Sequence, residues 1–144
     1  MTWALVLGVL LVDQISKFFI TKNLFLNQSL PIINNIFHLT LIHNQGAAFG
    51  ILKNHHYLFF FTGSLAVILI ILNLKDKKNR IYRFSLGLIL AGALGNMIDR
   101  FFLGYVIDFL DFRIWPVFNI ADCAISLGAI LLAWTVIKEK KCIR

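Results

Sequence analysis

Four apolar runs, at residues 2–20, 57–74, 82–102 and 118–137, leave this chain few ways to fold. Each is close to the roughly 20 apolar residues that an α-helix needs to cross a bilayer. With 59% hydrophobic and 15% charged residues over 144 positions and a mean hydropathy of +0.80, the chain lacks the polar surface that a soluble domain of this size requires. The expected class is an all-α polytopic membrane protein: four transmembrane helices in one domain over residues 1–144, with the mixed segment 21–56 forming a small extracytoplasmic β-rich cradle.

The net charge of +7 does not point to nucleic acid, because nine of the 14 Lys and Arg fall in two clusters beside apolar runs. Lys75, Lys77, Lys78, Arg80 and Arg83 crowd one loop, and Lys138, Lys140, Lys141 and Arg144 crowd the tail. Such clusters are orientation signals, and no basic stripe with interleaved stacking aromatics appears. Both clusters are therefore expected on the cytoplasmic side, which puts both termini there and turns 21–56 and 103–117 outward. The first run lacks a basic n-region and a small-residue cleavage site, so it reads as a retained span rather than a signal peptide.

Within the outer segment, Leu30-Pro31 reads as a break, and residues 32–42 alternate loosely as in a surface hairpin. The connection 103–117 holds Trp115, suited to a membrane interface. Cys123 and Cys142 would lie roughly 28 Å apart on one helix, so both are expected as free thiols. His38, His43, His55 and His56 match no zinc spacing, so no metal and no cofactor are expected.

Polar chemistry concentrates in residues 95–122, GNMIDRFFLGYVIDFLDFRIWPVFNIAD, which contain Asp99, Asp108, Asp111 and Asp122, four of the chain's seven acidic residues. Ionisable groups in membrane segments are costly and mark sites. With the expected topology, Asn96, Asp99 and Arg100 end the third span, Asn119 and Asp122 begin the fourth, and Asp13 and Lys17 share a face of the first at i,i+4. Three helices thus bring polar groups to one layer near the outer surface. Asp13 and Lys17 read equally as a packing ion pair or as a wall of that site.

No Ser–His or Cys–His arrangement, HExxH or phosphate loop is present, which leaves paired carboxylates. Two aspartates sharing a site cannot both ionise easily, so one keeps a proton while the other activates water, as in aspartic-type hydrolysis. Residue logic alone leaves the pair open: Asp108 with Asp122 is one choice, Asp111 competes with Asp108, and Asp99 reads also as an anchor.

The order of five short pieces is more specific. DQISK at 13–17, NQGAAF at 44–49, GNMIDR at 95–100, VIDF at 106–109 and FNIAD at 118–122 together resemble bacterial lipoprotein signal peptidase, signal peptidase II. The resemblance implies a membrane-embedded aspartyl endopeptidase of the bacterial inner membrane that cuts diacylglyceryl-modified prolipoproteins before the lipidated cysteine. It implies Asp108 and Asp122 as the catalytic dyad. Asn44, Gly46, Asn96, Arg100 and Asn119 would contact substrate or support the dyad, while Asp13, Lys17 and Asp99 would help build the site. The implied partners are those substrates and membrane lipids, with the enzyme acting as a monomer. The stretch between Asp108 and Asp122 is a few residues shorter than the family pattern, which keeps Asp111 as a rival. Two other readings compete: a small transporter with an aspartate relay, for which ionisable groups through the bilayer depth are missing, and an assembly subunit whose polar residues only pack helices.

Overall fold

The computed structural model describes residues 2–46, 56–74 and 79–142; the side chains of 56–60 and 139–142 are not described. Ala47, Ala48 and Phe49 of the second motif, His55 and the side chain of His56, the loop lysines Lys75, Lys77 and Lys78, the side chains of Lys140, Lys141 and Cys142, and Arg144 lie outside the description.

The elements run α1 (Thr2–Asn23), β1 (Ser29–Ile33), β2 (Phe37–Asn44), α2 (His56–Asn73), α3 (Arg80–Leu103), β3 (Val106–Asp111) and α4 (Ile120–Cys142). Among the described residues, three helices are long and apolar enough to cross a membrane: Thr2–Asn23, Arg80–Leu103 and Ile120–Lys138. The fully described part of α2, Phe61–Asn73, is apolar but shorter. Half of the α3 span window is buried, against 17% for α1 and 22% for α4, so α3 is the central helix. Its neighbours leave apolar flanks such as Leu7, Leu11, Phe18, Ile130 and Trp134 uncovered, as lipid-facing helices do.

Small residues set the helix spacing. A Cβ on Gly92 would overlap the Ala121 carbonyl of α4, and one on Gly128 would lie 2.8 Å from the Ser85 carbonyl. Backbone approach of this kind is how membrane helices gain dispersion contact without a hydrophobic driving force. Val6, Val67, Leu90 and Ala91 form the apolar core between α1, α2 and α3. Asn79 caps α3 by accepting from the Tyr82 N–H at 2.7 Å. At the other end Gly104 (φ 80°) takes the left-handed conformation that lets the chain leave α3 and enter β3 within two residues.

The three strands form one antiparallel sheet in the order β1-β2-β3. Two features depart from the sequence reading. Pro31 does not break the chain but lies within β1, an edge strand, where a missing N–H costs no ladder bond on the open side. The connection 103–117 supplies a third strand; its Val, Ile and Phe, bounded by Gly104, carried a strand signal masked by the two aspartates. The register of β2 on β3 shifts by one between Leu39 and Ile42, so that Ile42 faces Asp108 and Asn44 faces Val106. Side chains opposite one another share a sheet face. Without that bulge His43 would occupy Asn44's place; with it, Asn44 reaches the face of Asp108.

Candidate active site

α1 and α3 end, and α4 begins, at the same end of the bundle, beside the sheet. The polar residues expected from the sequence meet there in two linked groups.

The first is a buried knot between helices. Lys17, only 2% exposed, places Nζ 2.8 Å from Asp13 Oδ2 and 2.8 Å from Asp99 Oδ2, and donates to Asn96 Oδ1 at 3.2 Å. An ammonium has three N–H donors and no acceptor, so this set satisfies it completely. Asp13 Oδ1 accepts from the Ala121 N–H at 2.8 Å, at the start of α4 where orphan amides need partners. Asp99 Oδ2 also accepts from the Ile107 N–H at 3.1 Å, tying α3 to β3. Gly95 makes room for the knot, since a Cβ there would stand 2.6 Å from Asp13 Oδ2. Of the two sequence readings of Asp13 and Lys17, the geometry matches the packing ion pair, which ties α1 to α3; neither residue lines the cavity onto which Asp108 and Asp122 open. Gln14 was overlooked as a site residue; its amide donates to Asp13, to the Gly95 carbonyl and to Asp99 at 3.1, 3.3 and 3.1 Å. Its position beside Asp13 in the first motif was the available signal.

The second group is Asp108 with Asp122. Asp108, 1% exposed, accepts from Asn119 Nδ2 at 2.7 Å and from Asn44 Nδ2 at 2.8 Å. Asp122 accepts from Asn96 Nδ2 at 2.8 Å. Asn119 and Asp122 also cap α4 reciprocally: the Asp122 N–H donates to Asn119 Oδ1 at 2.9 Å, and the Asn119 N–H lies 3.4 Å from Asp122 Oδ2. This is the capping-box arrangement with aspartate at the third helical position.

Obligate donors fix both amide orientations. Lys17 can only donate, so the oxygen of Asn96 faces it and the NH2 faces Asp122. The Asp122 N–H can only donate, so the oxygen of Asn119 faces it and its NH2 faces Asp108 and Asn96. Asn96 is therefore the joint between knot and pair.

Asp108 and Asp122 open onto one cavity of about 790 Å³, lined also by Asn44, Gly46, Asn96 and Arg100 and walled on one side by Trp115, Pro116, Val117 and Phe118. His43 and this apolar wall were not anticipated as site residues. The Gly46 N–H donates to Asn44 Oδ1 at 3.0 Å, which holds the Asn44 amide toward Asp108. Burial pushes the Asp108 carboxyl up to about 7, with the Asp122 charge adding to the rise and the Asn44 and Asn119 amides opposing it. Asp111 lies elsewhere, bonded to Thr40 and Arg113. Asp99 belongs to the knot, and neither Asp99 nor Asp111 lines the cavity. Among the described residues no group of three or more His, Cys, Asp or Glu side chains is arranged to hold a metal ion.

The chain resembles known proteins in both sequence and fold. A family model described as signal peptidase (SPase) II matches residues 5–138. The lipoprotein signal peptidase of Moorella thermoacetica is 50% identical over 135 residues, covering 92% of this chain and 90% of that protein. That of Halothermothrix orenii is 44% identical over 142 residues, covering 98% of each. A bacterial membrane enzyme solved by the in meso method superposes with a TM-score of 0.93 at 32% identity, over 99% of this chain and 91% of that one. A second such enzyme gives 0.87 at 33% identity, over 95% and 92%. With nearly the whole length matched in both sequence and fold, the chain belongs to the signal peptidase II family, peptidases of the bacterial membrane.

Proposed function

We propose that Asp108 and Asp122 are the catalytic dyad with which this peptidase removes the signal peptide from diacylglyceryl-modified prolipoproteins, cutting before the lipidated cysteine. The observation that carries the assignment is that two carboxylates from separate elements, β3 and α4, open onto one cavity, each receiving an asparagine amide, Asp108 from Asn119 and Asp122 from Asn96.

Burial favours the protonated form of Asp108, so it is the acid that polarises the scissile carbonyl, and ionised Asp122 is the base. Water between them gives a proton to Asp122 as its oxygen attacks the carbonyl carbon, while the Asp108 proton passes to the carbonyl oxygen. Collapse of the tetrahedral intermediate re-forms the carbonyl, returns a proton to Asp108 and expels the amine of the lipidated cysteine, which takes the proton held by Asp122. The pair titrates as a unit, so the next cycle starts from one shared proton. Asn44, Asn96 and Asn119 orient the two carboxyl groups. Arg100 and the backbone at Gly46 line the path of the substrate chain, and Asp13, Lys17 and Asp99 hold the helices that carry the pair.

The same reading gives one domain over residues 1–144 with α2 as a fourth span, both termini cytoplasmic and the cavity near the outer surface. The clustered basic residues support that orientation. A site at that depth suits a substrate held in the outer leaflet by its signal helix and acyl chains. The enzyme works as a monomer, and nucleic acid is not a partner.

The test is cleavage of a purified diacylglyceryl-modified prolipoprotein in detergent with EDTA present, comparing wild type with Asp108→Asn, Asp111→Asn and Asp122→Asn, each checked for folding. Loss of cleavage in the first and third variants alone is expected. Full activity in both would remove the dyad assignment.

A further inference from the structure

Asp111 is buried, at 5% exposure, although it belongs neither to the dyad nor to the helix knot. Three residues beyond Asp108 on one strand, it points to the opposite face of the sheet. There its carboxylate accepts from Thr40 Oγ1 at 2.8 Å, the Arg113 N–H at 2.8 Å and Arg113 Nη1 at 3.0 Å. Thr40 Oγ lies 2.9 Å from Ser29 Oγ, which lies 2.9 Å from His38 Nδ1. Thr40 has one proton, and the carboxylate takes it; Ser29 then donates to Thr40, and the His38 Nδ1–H donates to Ser29. This order leaves His38 Nε2, a buried atom with no partner among the described residues, as a bare acceptor. Every hydrogen in the chain thus points toward Asp111, an arrangement in which each bond polarises the next. Burial raises the Asp111 carboxyl, but the Thr40 and Arg113 donors outweigh it and hold the group below its ordinary value.

The carboxylate is therefore anchored to all three strands, and what it holds is a strained turn. Arg113 has φ 66°, a left-handed conformation that is unfavourable for a side-chain-bearing residue. The Ile114 N–H closes back on the Phe112 carbonyl at 2.8 Å. The next residues are the apolar cavity wall, after which Phe118 returns to exchange backbone bonds with Leu110 at 2.8 and 3.1 Å and delivers Asn119.

We propose that Asp111 is a positioning residue for substrate binding: by clamping the Arg113 turn to the sheet it sets the Trp115 to Phe118 wall, against which the apolar surface of the substrate beside the scissile bond seats. This inference rests on the peptidase reading, not on which aspartates form the dyad. Truncating Asp111 frees the wall without touching the reacting groups, so the loss falls on KM.

The full-length enzyme is assayed with the lipidated prolipoprotein at fixed detergent, alongside thermal unfolding. Asp111→Ala is expected to raise KM about tenfold with kcat within about twofold. Thr40→Val removes one donor only and should raise KM by about threefold. Adding Arg113→Gly to Asp111→Ala should bring KM back toward wild type, because glycine adopts the left-handed turn without a clamp. Asp111→Ala and Trp115→Ala should combine non-additively, since both act through the same wall. Wild-type KM in both folded single variants would overturn the proposal, as would a kcat collapse matching that of Asp108→Asn. No rescue by Arg113→Gly, together with additive losses, would reduce Asp111 to a fold-stabilising residue and equally overturn it. If instead Asp108→Asn and Asp122→Asn stay active, the dyad falls while the KM comparison still judges Asp111.

Discussion

The helix knot and the dyad cavity are built from the same residue types a few ångströms of structure apart, yet they handle buried carboxylates in opposite ways. In the knot, Asp13 and Asp99 share the Lys17 ammonium, and every donor and acceptor has a partner. In the cavity, Asp108 and Asp122 receive asparagine amides, neutral donors that orient a carboxyl group without fixing its charge. A charge partner favours ionisation strongly, whereas an amide favours it weakly enough for burial to win. The knot is thereby closed on itself, and Asp108, raised to about 7, is left able to exchange its proton near neutral pH. Asn96, with its oxygen on Lys17 and its NH2 on Asp122, is the boundary between the two regimes.

The contrast breaks most visibly at the dyad. In the proposed mechanism Asp108→Asn and Asp122→Asn remove the exchangeable proton or the base, and each is expected to lower cleavage by about 10³-fold or more while the protein remains folded. The knot should fail in the other sense. Lys17→Met strands two buried carboxylates and is expected to cost about 3–5 kcal/mol, read as a lowered unfolding temperature in detergent. An unchanged unfolding temperature would mean that the knot is not held by charge.

Smaller changes sharpen the electrostatic part. Asn44→Ala removes a donor that favours ionised Asp108, so the carboxyl stays protonated to higher pH and the alkaline limb of the kcat/KM profile should move upward. A downward move would contradict the role given to Asn44. Stability carries the same signature. The folded pKa of Asp108, about 7, lies above the ordinary 3.8, so the stability linked to its protonation is present below 3.8 and lost as pH rises through about 7. Relative to wild type, Asp108→Asn should therefore gain in unfolding temperature as pH is raised through that window. The smallest effect lies far from both regions: Asn79→Ala removes the α3 cap and should cost about 1 kcal/mol without changing kcat or KM.

Much of this was legible in the sequence because membrane chains tolerate few polar residues, and those present must meet one another. The layer formed by Asp13, Lys17, Asn96, Asp99, Asn119 and Asp122 followed from span order and topology alone. The strand β3 did not, because Asp108 and Asp111 made an apolar strand look like a polar connection. Separating those two aspartates required strand alternation and the one-residue bulge in β2, and neither is visible without the partner strand. Gln14 and the Trp115 to Phe118 wall escaped for a related reason: a lone amide and an ordinary apolar turn acquire meaning only from what they face.

The most direct test of the central claim is infrared difference spectroscopy of the detergent-solubilised enzyme, following the carbonyl stretch of protonated carboxyl groups as pH is raised. The account predicts one protonated carboxyl that titrates near 7 in wild type and is missing in Asp108→Asn. Absence of any carboxyl titrating in that range in wild type, or its persistence in Asp108→Asn, would contradict it.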